Sequence, residues 1–267
     1  MSEIMTLKIS SFIVVLIVFL SVPPTLPLST LPSPLNTLKS HIILLRHGQS
    51  TSNIAGIISS SRDLENTDRH PLTEVGRAQA RDAGLALKEM VEGKGVREIK
   101  FVSSTFKRAV ETAEIARGVL VEGLGGDKGG TVVKGGVKRC TEFRERYFGR
   151  LDGLPLPTYA YVWPVDKITT SNKGFDVESV DEVWARASER LVELDKEIGG
   201  EGVCLVVAGH ADTLQIMQAG RAGLEHLGDF SSYRFKNGEC RFMDGVLPPK
   251  EDMSAPEKWM KGNGIVE

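Results

Sequence analysis

Leu44-Leu45-Arg46-His47-Gly48-Gln49-Ser50-Thr51-Ser52-Asn53 is the stretch on which the reading of this chain turns. An apolar run over residues 41–45 stops at an arginine, a histidine and a glycine. A short continuous apolar segment bounded by turn chemistry predicts a strand buried on both faces. Groups at the carboxyl end of such a strand stand where open α/β sheets bind ligands. Gly48 lets the backbone turn sharply beside the histidine. Arg-His-Gly alone would equally suit a surface turn, so its meaning depends on what surrounds it.

Three other segments repeat the theme. Ser103-Ser104-Thr105-Phe106-Lys107-Arg108-Ala109 follows a second short apolar strand, residues 101–104, and puts an arginine on the first turn of a helix over 107–120. Val206-Val207-Ala208-Gly209-His210 sets a second histidine at the end of the strongest apolar strand, residues 203–208. Arg144-Glu145-Arg146-Tyr147-Phe148-Gly149 places a carboxylate among cations. Each part has a bland alternative. Arg46 or Arg108 alone would read as a surface ion pair, and His210 alone as a core histidine. Glu142 lies three residues from Glu145 and competes with it, Ser50 and Thr51 suit either helix caps or ligand contacts, and His70 and His226 read as solvated, with His70 also suiting a pocket mouth.

Between these segments the pattern is helical. Thr73 is a suitable N-cap with Glu74 in the first turn, and Val75, Ala78, Ala83, Ala86, Leu87 and Met90 run at helical spacing to Val91. Val180, Val183, Trp184, Ala187, Leu191, Leu194 and Ile198 form an apolar stripe opposite charges. Residues 213–227 predict another helix, and the glycine-rich residues 123–136 a flexible surface loop. Strands alternating with helices predict a three-layer α/β/α sandwich around a mostly parallel sheet.

The chain has 267 residues, a formal net charge of −2 and 41% hydrophobic residues, enough for a sizeable core. No basic excess points to nucleic acid. Cys140, Cys204 and Cys240 are far apart, without metal-ligand spacing, and read as free thiols. Residues 1–22 form a hydrophobic leader whose apolar run, residues 9–22, is shorter than a membrane span. It suits the core of a signal peptide or an anchor, with Lys8 as a weak positive flank. Glu3 dilutes that charge and no clear cleavage site follows, so an inert leader in a cytoplasmic protein stays open beside the secretory or membrane-anchored one. Any membrane contact would run through residues 9–22. Pro23, Pro24, Pro27, Pro32 and Pro34 mark a linker over 23–38. The folded domain is expected over 39–245, with a tail over 246–267.

Taken in order, these blocks resemble the histidine phosphatase superfamily, also called the phosphoglycerate mutase-like family. The matching residues are Arg46-His47-Gly48 with Asn53, Pro71-Leu72-Thr73 with Gly76, Gln79 and Ala80, Ser103-Ser104 with Arg108, Ala109 and Thr112, the 144–149 segment, and Gly209-His210. The resemblance spans residues 41–239. It implies the fold of that family and a phosphoryl transfer without metal or cofactor. His47 would attack phosphorus. Arg46 and Arg108 would grip phosphate oxygens with planar forks. A protonated His210 and Asn53 would stabilise the transferring group, and Glu145 would be the general acid. Ser50 and Arg146 belong to the expected phosphate contacts.

The resembled mutases carry a basic Trp-Arg-Arg stretch beyond the acid block. Here that place reads Tyr161-Val162-Trp163-Pro164-Val165-Asp166. Loss of the arginines favours hydrolysis of a small phosphorylated metabolite over a cofactor-dependent phosphoglycerate mutase. A phosphate-binding module without turnover is a third reading. Ala211 replaces a glycine frequent in the family. The loops that would set specificity, residues 54–70 and 154–174, carry no diagnostic motif.

Overall fold

A computed structural model describes residues 34–124 and 130–244. The leader, most of the linker and the tail lie outside the described residues. Among the described residues no helix is long and apolar enough to cross a membrane.

Five strands form one sheet: β1 (His41–Arg46), β2 (Glu98–Ser103), β3 (Val132–Arg139), β4 (Val203–Gly209) and β5 (Cys240–Phe242). Their order is β3-β2-β4-β1-β5. The first four run parallel, and β5 pairs antiparallel with β1. Every residue of β4 is buried, as its continuous apolar run requires of a central strand covered on both sides.

Side chains alternate across the sheet. Ile42, Leu44, Leu205 and Val207 face a core shared with α5 (Val180–Ile198) and α6 (Ala211–Arg221). Ile43, Leu45, Phe101 and Val206 face the other, shared with α2 (Glu74–Val91) and α3 (Lys107–Leu124). Each such side chain, fully buried, contributes about 1.5–3 kcal/mol. The three-layer sandwich is therefore as expected. The short helices α1 (Thr51–Ala55) and α4 (Trp163–Asp166) stand outside these layers and help line the site.

Local signals account for most helix ends. Thr73 Oγ1 accepts from Gly76 N at 3.0 Å to cap α2. Ser179 and Glu182 form a reciprocal capping box on α5. The helices α2 and α3 approach closely at Gly84, where a Cβ would come within 2.7 Å of the Ala116 carbonyl oxygen. Cys140, Cys204 and Cys240 are free thiols.

Four details differ from the sequence reading. Residues 132–136, assigned to a glycine-rich loop, begin β3. That strand is at the sheet edge, where Gly135 (φ 70) sits at a register shift against β2 and an exposed face tolerates glycine. The helix expected over 213–227 starts earlier, at Ala211, and ends at Arg221. Gly223 in the left-handed region stops it, and Leu227–Tyr233 follows as a 3-10 turn. Val75 is 54% exposed; the buried face of α2 is Gly76, Ala80, Ala83, Gly84, Leu87 and Val91.

The packed structure also reaches upstream of Lys39. Pro34–Thr37 form a 3-10 turn, and Leu35 is wholly buried against the α5 side of the core. Asp195 of α5 then accepts from the backbone N–H of Lys39 and Ser40 at 3.0 and 2.9 Å. Leu35→Ala is expected to lower stability by about 2–4 kcal/mol, read as a lower urea midpoint. An unchanged midpoint would place the turn outside the cooperative unit.

Candidate active site

The sheet register decides which residues meet. Arg46 of β1 pairs with Gly209 of β4, and Ala208 of β4 pairs with Ser103 of β2. His47, His210 and Ser104, each next along its strand, therefore emerge side by side at the carboxyl edge. The two imidazole centroids lie 5.1 Å apart at 60°. Arg108, on the first turn of α3, reaches His47, its Nε donating to Nε2 at 3.2 Å.

Around them is a cavity of about 210 Å³, below the ~300–1,000 Å³ of pockets for drug-sized ligands. Of the residues expected at the site, Arg46, His47, Asn53, Arg108 and Glu145 line it, and His210 is fully buried against His47.

The loop after β1 is propped from below. Gly48 N–H donates to Thr112 Oγ1 at 3.0 Å, Gln49 N–H to Gln79 Oε1 at 2.8 Å, and Thr73 N–H to the Gln49 carbonyl at 2.9 Å. Gly48 and Gly76 face each other, and a Cβ on either would collide with backbone of the other segment. Gly48 has no positive φ. The glycine serves a close approach, not the sharp turn expected of it.

Hydrogen bonds fix each group's role. His47 Nδ1 lies 2.7 Å from the Gly48 carbonyl oxygen, which can only accept. The ring proton therefore sits on Nδ1, leaving Nε2 with a lone pair. Arg108 is clamped by Ser59, with Nη1 donating to Oγ at 3.0 Å and Nη2 to the carbonyl at 2.8 Å. Arg46 Nη1 donates to the Phe235 carbonyl at 2.6 Å. Asn53 Oδ1 accepts from Ser50 N and Asn237 Nδ2, so its NH₂ is the group left for a ligand. Glu145 Oε1 accepts from Arg146 N at 3.0 Å and from Thr213 N, at the start of α6, at 3.3 Å. Two buried nitrogens here, Arg46 Nε and His210 Nδ1, lack a partner among the described residues.

Burial dominates the electrostatics. It lowers the Arg108 guanidinium to about 10. Burial, then Arg108 and Arg46, hold His47 well below the ordinary imidazole value. Burial, then Arg108 and His47, do the same to His210. The protonated His210 that the resemblance implies is thus disfavoured in the protein alone; a dianion beside it would supply the counter-charge that reverses this.

Two expected contacts are elsewhere. Ser50 is fully buried and caps α1, its Oγ accepting from Asn53 N; the helix end claims the hydroxyl. Arg146 is fully buried too, and does not line the cavity. Its two Nη donate to the Asp166 carboxylate at 2.6 and 2.9 Å and its Nε to the Glu178 carbonyl at 2.7 Å. A buried carboxylate captures the guanidinium, so it anchors the wall of the site instead of meeting phosphate. Glu142 is likewise outside, its carbonyl held by Arg186. His70 stands behind Arg108, its Nδ1 2.7 Å from Ser59 Oγ.

Sequence reasoning missed Ser59, Tyr159, Asp212 and Gln215. Ser59 and Tyr159 had no signal, because loops 54–70 and 154–174 lack motifs. Asp212, two residues after His210 in the first turn of α6, had one. Among the described residues no group of three or more His, Cys, Asp or Glu is gathered to hold a metal ion.

Gly76→Ala is expected to push the 47–50 loop and lower kcat by about a hundredfold, with a folded circular dichroism spectrum; kcat within twofold of the parent would show the loop does not depend on that contact. Sulfate, which does not titrate near neutrality, is expected to bind with uptake of about one proton as His210 regains its charge, and more weakly as pH rises. Calorimetry in buffers of different ionisation enthalpy measures that proton; zero uptake would leave His210 neutral in the bound state.

Comparison with known proteins agrees with this fold. Residues 42–241 match the model of the histidine phosphatase superfamily (branch 1). The chain is 29% identical over 181 residues to a 2,3-bisphosphoglycerate-dependent phosphoglycerate mutase of Nitrobacter winogradskyi, covering 66% of this chain and 78% of that one. It is 30% identical over 194 residues to a metal-independent phosphoserine phosphatase of Arabidopsis thaliana, covering 69% and 71%. The solved structure of a mycobacterial glucosyl-3-phosphoglycerate phosphatase superposes with a TM-score of 0.56 at 23% identity, covering 75% and 89%, a likeness of fold. The chain belongs to the histidine phosphatase superfamily.

Proposed function

We propose that this protein is a metal-independent phosphomonoesterase that hydrolyses a small phosphorylated metabolite through a phosphohistidine at His47. The observation that carries the proposal is the Nε2 lone pair of His47, set by the Gly48 carbonyl in a cavity lined by the Arg46 and Arg108 guanidiniums. Phosphoryl transfer asks for an in-line nucleophile and positive charge around the equatorial oxygens.

In the first step Nε2 attacks phosphorus as the ester P–O bond breaks. Arg46, Arg108 and the Asn53 amide hold the oxygens, and Glu145 gives a proton to the departing oxygen. His210 takes a proton as the dianion arrives. In the second step Glu145 takes a proton from water, the water oxygen bonds to phosphorus, and the P–N bond breaks. Arg46 Nε and His210 Nδ1, both buried without a partner, would regain one from the phosphoryl oxygens, relieving about 1–3 kcal/mol each.

A phosphoglycerate mutase is the second reading, favoured by the relatives bearing that name. Against it stand Pro164 and Val165, uncharged where the resembled mutases carry arginines. Neither side chain can hold the second anionic group that a mutase must keep while phosphate returns.

His47→Ala is expected to lower turnover of para-nitrophenyl phosphate by about a thousandfold or more, and to abolish the acid-labile phosphoenzyme trapped from the parent. Undiminished turnover would remove His47 from the mechanism. Interconversion of phosphoglycerates outpacing phosphate release, with 2,3-bisphosphoglycerate present, would install the mutase instead.

A further inference from the structure

Asp212 is a buried carboxyl that the steps above do not use. It is 3% exposed and lines the cavity together with Glu145, Tyr159 and Trp163. One oxygen is engaged. Oδ2 accepts from Trp163 Nε1 at 3.1 Å and lies 3.7 Å from Arg146 Nη1. Arg146 gives both Nη to Asp166, so it lends Asp212 its field but no hydrogen bond. The other oxygen, Oδ1, takes no hydrogen bond among the described residues and is not sealed off from the cavity. A buried carboxyl oxygen without a partner, open to a binding cavity, is a group awaiting a donor.

Its place in the pocket indicates which donor. A phosphoryl group belongs at His47 Nε2, between Arg46 and Arg108. The alcohol part of the ester must then extend into the rest of the cavity, whose lining includes Ser231 and Arg234, Asp212 and Gln215 of α6, and the aromatic pair Tyr159 and Trp163. Those two rings stack 4.5 Å apart, 5° from parallel, and give their side of the cavity an apolar surface in which a carboxylate is poorly solvated. Next to Asp212 that surface favours a cation or a hydrogen-bond donor and disfavours an anion.

We infer that Asp212 sets the substrate class, taking an ammonium or hydroxyl donor on the alcohol part of the ester through Oδ1 and rejecting alcohol parts that carry an anion. This rests on the hydrolytic reading given above. It makes Asp212 a specificity-determining residue for that reaction, and it places the enzyme among phosphatases of amino-alcohol or polyol esters.

The charge on Asp212 is itself tunable. Burial, then the neighbouring Glu145, push its carboxyl up to about 7. The groups facing it are Glu145 and Arg146 of the acid segment, Trp163 and Asp166 of α4, and Tyr159 and Arg46 across the cavity. A carboxyl with a raised value is neutral below it and charged above it, so attraction for an ammonium should strengthen as pH rises.

Three esters of matched length test this: 2-aminoethyl phosphate, propyl phosphate and carboxymethyl phosphate. For the parent protein kcat/KM is expected to favour the aminoethyl over the propyl ester by about tenfold, and the propyl over the carboxymethyl ester by at least about tenfold. Asp212→Asn keeps the shape and an oxygen for the Trp163 N–H. It is expected to lower the aminoethyl-to-propyl ratio about tenfold and to raise the carboxymethyl-to-propyl ratio. In the parent alone, the aminoethyl-to-propyl ratio should climb between about pH 6 and about pH 8; taking the ratio cancels titrations common to both esters, and this arm decides the matter if the variant does not fold. Ratios untouched by the substitution, or flat with pH in the parent, would overturn the role of Asp212 while leaving the phosphatase intact. A parent that releases phosphate from none of the three esters nor from para-nitrophenyl phosphate would overturn both.

Discussion

Two guanidinium groups and two imidazoles share one buried pocket, and the structure depends on holding them there against their mutual repulsion. Removed from water, these groups shed charge wherever they can: both imidazoles are pushed well toward the neutral form and Arg108 falls to about 10. The arginines, whose charge persists, are held by fixed dipoles. Ser59 clamps one and the Phe235 carbonyl the other. The carboxylates of Glu145 and Asp212 offset part of the remaining field. Such an arrangement is costly for folding, and the two apolar faces of the sheet supply the energy to impose it. It is also what a dianion would relieve, so the proposed reaction would draw on a stress built into the fold.

The position of His47 is set by the segment beneath it. The loop from His47 to Ser50 is not held by its own turn geometry. The start of α2 and the hydroxyl of Thr112 hold it, with Gly48 and Gly76 packed backbone to backbone. This explains why Thr73, Gly76, Gln79 and Thr112, none of which lines the cavity, appear in the blocks that carry the family resemblance. They position the ring that the Gly48 carbonyl orients.

The opposite wall is organised by a buried ion pair. Arg146 and Asp166 are both fully buried, a pairing that adds little net stability in such a place but is severe to break. It joins the segment carrying Glu145 to α4, which carries Trp163. The acid, the aromatic wall and Asp212 are thereby fixed relative to one another. The guanidinium that looked like a phosphate ligand in sequence instead sets the geometry of the acid beside it.

The sandwich, its central strand β4 and its capped helices were legible in the chain because they follow from local periodicity; the meeting of His47, Arg108 and His210 at one sheet edge was legible through the family resemblance, joined to the rule that strand ends carry ligand groups. The break of α6 at Gly223 and the edge strand around Gly135 were less so, since sheet pairing and neighbouring turns override propensity there. The sequence by itself, through the order of its motifs and the resemblance they carry, determined that two imidazoles, two guanidiniums and a carboxylate are candidates for one site. Only the tertiary structure decided that Arg146 and Ser50 stand outside that site while Ser59 and Asp212 enter its pocket. The reason is physical: a side chain's partner is chosen by proximity in space, and a buried arginine goes to whichever carboxylate the fold brings to it, here Asp166 and not a ligand beside its sequence neighbour Glu145.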